Sequence, residues 1–340
     1  MTSKVKANWK VVGHHRILEF LERTIVNDST AHALLLVGPR TVGKMSIAKQ
    51  FANFIICENN TGKDTKLEKL GCGQCPNCLT FSKGLYADYY LLERDVDEKT
   101  GKSKQNISVK QVRELQTRLS KHSFQNSYKI VIVPEAETMS EEASNSLLKF
   151  LEEPTPKTII MLLTPSKDII LPTIISRCQM LNFPVVSRED IYQELIKRGN
   201  APDVALEIAS IAEGRTTLAF KFNDDAEFYK DYKEKIKKIL TLLQSSKSGR
   251  FIFIDKMVSK NYSKENALET LNVLSSLLRD IELIKNNSER FLSHRYLKPE
   301  LRELAGQNIP AKQLLQEIEK SRKLIYQNVS IKFVFENLLI

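Results

Sequence analysis

Residues 33–44 read Ala33-Leu34-Leu35-Leu36-Val37-Gly38-Pro39-Arg40-Thr41-Val42-Gly43-Lys44. A short apolar run, typical of a buried strand, enters a glycine-bearing turn, and the following segment 44–56 has a helical pattern. This is G-x-x-x-x-G-K in the context that gives it meaning, between a strand and a helix. The glycines let backbone N–H groups converge on phosphate oxygens, the helix N-terminus adds positive potential, and Lys44 reaches the outer phosphates. A chain built around such a loop is constrained to alternate strands and helices on a parallel sheet.

The loop is altered where it meets metal. The residue after Lys44 should carry a hydroxyl for Mg²⁺, but it is Met45, whose thioether is a poor ligand for a hard cation. Ser46 comes one residue late, about 100° further round the helix. The next expected strand, Lys129–Val133, should end in an Asp that anchors the metal. It is followed instead by Pro134 and then by Glu135, at the position that would orient an attacking water. Phosphoryl transfer depends on metal neutralising the developing charge. The reading is therefore that ATP or ADP could sit against Gly38, Pro39, Arg40, Thr41, Val42, Gly43, Lys44, Met45 and Ser46. No Mg²⁺ is expected there, and the chain's own hydrolysis is expected to be impaired. The alternative is that Glu135 or Glu137 recruits the metal.

Five cysteines divide as four before Leu79 and one at Cys178. Cys72-Gly73-Gln74-Cys75-Pro76-Asn77-Cys78 is C-x₂-C-x₂-C, with Cys57 upstream. Four thiolates can close a tetrahedral, structural Zn²⁺ site, and C-x₂-C knuckles present two ligands on one turn. An iron–sulfur cluster uses similar runs but usually has its fourth Cys nearby, and reduced, unliganded thiols are the bland alternative. Cys178 needs no metal role, being a small side chain suited to burial.

The 340 residues predict more than one domain, and 42% hydrophobic with 27% charged residues excludes a disordered or collagen-like chain. Net charge is +10, which suits a polyanion partner without requiring one. No apolar run approaches a spanning helix, and the N-terminus lacks the apolar core of a signal peptide, so a cytoplasmic location and no membrane are expected. Further helices are read at Val12–Val26, Val109–Leu119 and Glu141–Leu151, further strands at Tyr89–Leu92 and Thr158–Thr164, and a polar loop at Asp95–Gln105. From Ser187 strand signals nearly vanish. Ser187 with Asp190 reads as a helix cap. Apolar stripes follow at Val204, Ile208 and Ile211; Ile236, Ile239, Leu240 and Leu243; Leu271, Leu274, Leu278 and Ile281; and Leu314, Leu315, Ile318 and Ile325. The expected organisation is an α/β domain over 1–186 with a zinc module at 57–78, a helical lid over 187–225 and an all-α domain over 226–340. The run Lys233–Lys238 reads as a solvated amphipathic helix rather than a DNA patch.

Pro172-Thr173-Ile174-Ile175-Ser176-Arg177-Cys178 follows the Thr158–Thr164 strand. Pro172 can open a short helix, which places Arg177 near its end. Most arginines are solvated surface charges, but a guanidinium fork can also stabilise charge on a γ-phosphate and can be supplied in trans.

Taken together these features resemble the AAA+ clamp-loader subunits of bacterial DNA polymerase III. The resemblance is strong from about Val11 to Phe183 and weak beyond. It runs through Val12-Gly13-His14, Ala31-His32-Ala33, the four cysteines, Val112-Arg113-Glu114-Leu115, Asn145-Ser146-Leu147-Leu148-Lys149-Phe150-Leu151-Glu152-Glu153-Pro154 and Ser176-Arg177-Cys178. It implies an AAA+ P-loop domain followed by a small helical lid and a C-terminal collar. Met45, Pro134 and the chain length align it with the delta-prime branch rather than the gamma/tau motor branch. Thr217 stands where the motor subunits carry a lid arginine, with Arg215 near but on another face. The resemblance further implies that Arg177 is an arginine finger acting on a neighbour's ATP and that Thr164 is at the sensor position. It also implies a pentameric ring with gamma/tau-type and delta subunits, meeting the sliding clamp and primer–template DNA. Two other readings stay open. One is an active gamma/tau-type ATPase with unusual magnesium ligation. The other is a zinc-dependent nucleic-acid-binding protein with a vestigial nucleotide domain, in which Lys63, Lys66, Lys69 and Lys83 would serve.

Overall fold

The computed structural model describes all residues except 1–8, 28, 61–70, 98–100, 102, 122, 124–126, 259–261 and 308. Two compact units are resolved: residues 1–190 with 215–217, and residues 191–214 with 218–340.

The first unit is built on β1 (Ala33–Val37), β2 (Tyr89–Leu91), β3 (Lys129–Val133), β4 (Thr158–Thr164) and β5 (Gln179–Asn182), in the order β2-β3-β4-β1-β5. Every strand pairing is parallel. β1, β3 and β4 are buried at every position, as a sheet covered on both faces demands. Alternate side chains serve opposite faces. Leu34, Leu36, Ile130 and Ile132 pack with Leu21 of α1 (His15–Val26) and with Ile47 and Phe51 of α2 (Lys44–Ile56). Leu35, Val131, Val133 and Leu162 pack on the other face with helices α4 (Val109–Leu119) and α5 (Glu141–Glu152), through Val112, Leu115, Leu147 and Leu151. The short helices α3 (Pro76–Ser82) and α6 (Pro172–Ile175) both open on a proline. Pro fits there because its missing N–H has no partner in a first turn anyway.

Three local expectations change. The first helix begins at His15 rather than Val12, because Gly13 (φ 77°) and His14 (φ 58°) turn the chain left-handed just before it. A Cβ at Gly13 would lie 2.7 Å from a Val186 methyl, so the position requires glycine. β5 carries no apolar run; its Gln179-Met180-Leu181-Asn182 sequence is that of an exposed edge strand with one buried residue. The segment 95–105 includes an antiparallel bridge between Val96 and Ser103, with 98–100 and 102 outside the described residues.

α7 (Arg188–Lys197) spans the division between the two units, and the Asp190 amide donates to Ser187 Oγ at 3.0 Å, the cap that the spacing predicts. The second unit contains α8 (Pro202–Ile211), α9 (Thr216–Asp224) from Leu218 onward, α10 (Ala226–Gln244), α11 (Lys247–Met257), α12 (Lys264–Lys285), α13 (Lys298–Gly306), α14 (Ala311–Tyr326) and α15 (Ile331–Leu339). The stripes at 236–243 and 271–281 are buried throughout. In α8, Ile208 and Ile211 are buried with Ala205, but Val204 is 45% exposed in the helix's first turn. On α14, Ile318 and Ile325 are buried, while Leu314 and Leu315 are half-buried. Among the described residues no helix is long and apolar enough to cross a membrane.

Candidate functional site

β1 delivers Gly38 at the edge of the sheet where the strands end. The Gly38 amide donates to the Thr164 carbonyl at 3.1 Å, and a Cβ there would lie 2.2 Å from the Phe183 carbonyl oxygen, so no other residue fits. Thr41 holds φ at 63°, a conformation that costs a non-glycine residue roughly 1–3 kcal/mol and marks a constrained loop.

The loop is engaged by its own chain. Lys44 is buried, and its ammonium donates to the carbonyls of Gly38 and, at 2.8 Å, of Pro39. Burial pulls its pKa down to about 8. The Val42 carbonyl accepts from His14 Nε2 at 2.9 Å and from the Thr216 hydroxyl at 2.9 Å. The Thr217 amide donates to the Thr41 carbonyl at 2.9 Å. Thr216 and Thr217, which belong to the same unit as the loop, therefore bind it through a hydroxyl and a backbone amide. Thr164 is fully buried at the end of β4, and its hydroxyl donates to the Ser166 carbonyl at 2.9 Å.

The residues weighed as metal ligands are differently engaged, and Glu137 Oε2 is buried with no hydrogen-bond partner among the described residues. Met45 packs against the core cluster that holds Ile47 and Phe51, while Ser46 is exposed. Beyond β3 and Pro134, both Glu135 oxygens accept from guanidinium groups. Oε2 takes Arg94 Nη2 and Nε at 2.9 and 3.1 Å, and Oε1 takes Arg40 Nη2 at 3.0 Å. Glu137 Oε1 accepts from the same Arg40 Nη2 at 3.0 Å, and burial raises the Glu137 carboxyl above its ordinary range. Sequence reasoning missed Arg94, His14 and Thr216 as partners of this region. Arg94 lies in a polar stretch with no distinctive spacing, and Thr216 is distant in sequence. Arg40 occupies a variable position of the loop, so nothing but proximity reveals its link to Glu135 and Glu137.

The Lys44 charge gives a signed pH dependence. A lysine with a folded-state pKa near 8 binds less proton than the unfolded chain between about pH 8 and its ordinary 10.5, so stability rises with pH across that window. Compared with Lys44→Met, the wild type should gain roughly 3 kcal/mol between pH 7.5 and 10.5. Urea unfolding of both proteins at the two pH values checks this, and parallel curves would refute it.

Arg177 follows α6. Its Nη2 meets Glu152 Oε1 at 2.7 Å, and its Nη1 donates to the Thr173 carbonyl at 3.0 Å and to Ser176 Oγ at 3.2 Å. Because β5 starts at Gln179, which pairs with Leu34, Arg177 in the turn before it lies toward the end of the sheet where β1 begins. Gly38 follows Val37, the last residue of β1, at the opposite end of the strand. The sheet does not bring Arg177 and the loop together.

The four cysteines do converge. The Sγ atoms of Cys57, Cys72, Cys75 and Cys78 all lie within 4.8 Å of one another, with Cys72 and Cys78 at 4.0 Å. Tetrahedral zinc with bonds of ~2.3 Å needs sulfur separations of about 3.8 Å, so the donor set fits. The amides of Cys75 and Gln74 donate to Cys72 Sγ at 3.1 and 3.4 Å, and these bonds hold its pKa down at about 6. Burial pushes Cys57 and Cys78 up. Gly73, at φ 68°, makes the turn of the knuckle. Residues 61–70, with Lys63, Lys66 and Lys69, lie outside the described residues. Cys178 is outside this cluster, and burial raises its thiol to about 12.

Comparison with known proteins adds the family. The family described as "DNA polymerase III, delta subunit" matches residues 13–187. DNA polymerase III subunit delta' of Bacillus subtilis is 27% identical over 98% of both chains. Subunit tau of the same organism is 30% identical over 78% of this chain but only 45% of its own length. Among solved structures, a DNA polymerase III gamma subunit-related protein of Thermotoga maritima overlaps 94% of this chain and 97% of its own, at 16% identity and a TM-score of 0.45. With half of its length matched by the family and a delta' relative aligned nearly end to end, the chain belongs to the DNA polymerase III delta-subunit family as a delta-prime-like clamp-loader subunit.

Proposed function

We propose that this subunit does not hydrolyse ATP itself and that it donates Arg177 to ATP bound by a neighbouring gamma/tau-type subunit. The observation that carries the reading is the strand register: Arg177 lies in the turn before β5, whose first residue pairs with Leu34 near the start of β1, whereas the chain's own loop follows the last residue of β1. That placement suits an arginine given to a γ-phosphate presented by another subunit, where its fork would stabilise transition-state charge. At the chain's own loop Lys44 is bonded to carbonyls, Met45 faces the core and Glu135 is held by Arg40 and Arg94. ATP or ADP would exchange the Lys44 contacts on entering this loop, and the position after β3 that would anchor Mg²⁺ is Pro134, which has no side-chain oxygen. Thr164 keeps the sensor position with its hydroxyl directed to the Ser166 carbonyl.

Cys57, Cys72, Cys75 and Cys78 would hold one structural Zn²⁺, which cross-links the segment between β1 and β2 and leaves no open position for chemistry. The expected setting is a cytoplasmic pentameric ring with gamma/tau-type and delta subunits, joined through the C-terminal helices, acting with the sliding clamp on primer–template DNA. The lid at 187–225 and collar at 226–340 belong to that reading. The test begins with the isolated chain, which should release no phosphate from Mg·ATP above the Lys44→Ala level. Adding it to motor subunits should raise their DNA-stimulated ATPase. Turnover by the isolated chain that Lys44→Ala removes would establish the rival, an active motor-type ATPase.

A further inference from the structure

Glu152 is the last residue of α5, an unfavourable place for a carboxylate because the helix C-terminus carries partial negative charge. Nothing in the helix itself accounts for it. The side chain instead reaches the Arg177 guanidinium at 2.7 Å. Both groups stand on fixed supports. Leu151, the preceding residue, and Ile174, three residues before Arg177, are buried in the same core cluster. The Leu151 carbonyl is bonded to His32 Nε2 at 3.0 Å, which ties the end of α5 to the residue just before β1.

We propose that Glu152 is the positioning residue of Arg177. The inference rests on the arginine-finger reading given above. Thr173 and Ser176 take Nη1, and Glu152 takes one N–H of Nη2, so the guanidinium plane is fixed from two helices rather than one. Nε and the second N–H of Nη2 belong to the same plane, and orienting them in advance lowers the ordering cost when a neighbour's phosphate arrives. The pair is half-exposed, so its effect is modest.

The experiment is a double-mutant cycle in the reconstituted assembly with motor subunits, comparing wild type, Glu152→Gln, Arg177→Ala and the double variant. Glu152→Gln should lower DNA-stimulated kcat about 2- to 5-fold, with the KM for ATP and the affinity for the partner subunits unchanged. In the Arg177→Ala background it should change nothing. Should Arg177→Ala itself have no effect, the finger reading fails. If Arg177→Ala is severe while Glu152→Gln is silent, the finger stands and the positioning role falls. Faster turnover by Glu152→Gln would mean that the carboxylate withholds the arginine, which also overturns the proposal. A loss that persists in the double variant, or that appears as weakened assembly, would assign Glu152 a purely structural part.

Discussion

Arg177→Ala, assembled with motor subunits, is expected to lower turnover at the one ATP site it serves by about 10³-fold or more, in line with arginines supplied to phosphoryl transfer in trans. Assembly should be unaffected, because the side chain is partly exposed and its partners Glu152, Ser176 and the Thr173 carbonyl are surface groups that water can satisfy. Arg177→Lys keeps the positive charge but loses the planar fork, and it should restore only a small part of the activity. Single-turnover hydrolysis, with gel filtration as the control for assembly, separates the two effects. Full turnover by the alanine variant would remove the finger from Arg177.

The second large effect concerns the cysteines. Metal analysis should find about one Zn²⁺ per chain, and Cys75→Ser should reduce that to a small fraction. Stability should fall by at least ~3 kcal/mol, yet by less than the ~10–16 kcal/mol that zinc supplies to isolated finger peptides, because the parallel sheet has its own buried core. Chelation of the wild type should reproduce the variant's unfolding midpoint. A metal-free preparation with an unshifted midpoint would exclude a structural ion. Iron with visible charge-transfer absorption would point instead to a cluster.

The parts of the fold that sequence revealed were those in which one residue type repeats for one reason. β1, β3 and β4 are covered on both faces, so they appear as unbroken apolar runs, and the phosphate loop between β1 and α2 follows from its spacing. The C-x₂-C-x₂-C run was legible because metal ligation demands fixed spacing. β5 was not legible, since an edge strand with one buried residue carries no periodic signal. The start of α1 was misplaced because two consecutive left-handed residues, Gly13 and His14, interrupt an apolar pattern that itself continues into the loop. At the candidate site, Met45 and Pro134 stand where the loop pattern asks for metal ligands, which the sequence alone makes plain. The bonds that engage the loop did not appear in the sequence. Val42 meets Thr216 across 174 positions, and Arg94 meets Glu135 across 41. Such contacts depend on how the chain returns on itself, and no local pattern encodes them.

A parallel sheet has two chemically unlike ends, and the proposed reading makes one of them, Gly38–Lys44, a receiving end and the other, Arg177, a giving end. Under that reading such units would associate head to tail, in a contact that repeats without being its own mirror. Under the proposed reading this unit gives without receiving. A row of such subunits can therefore begin here but cannot pass its signal through this position, and two copies placed side by side would form a junction at which nothing fires.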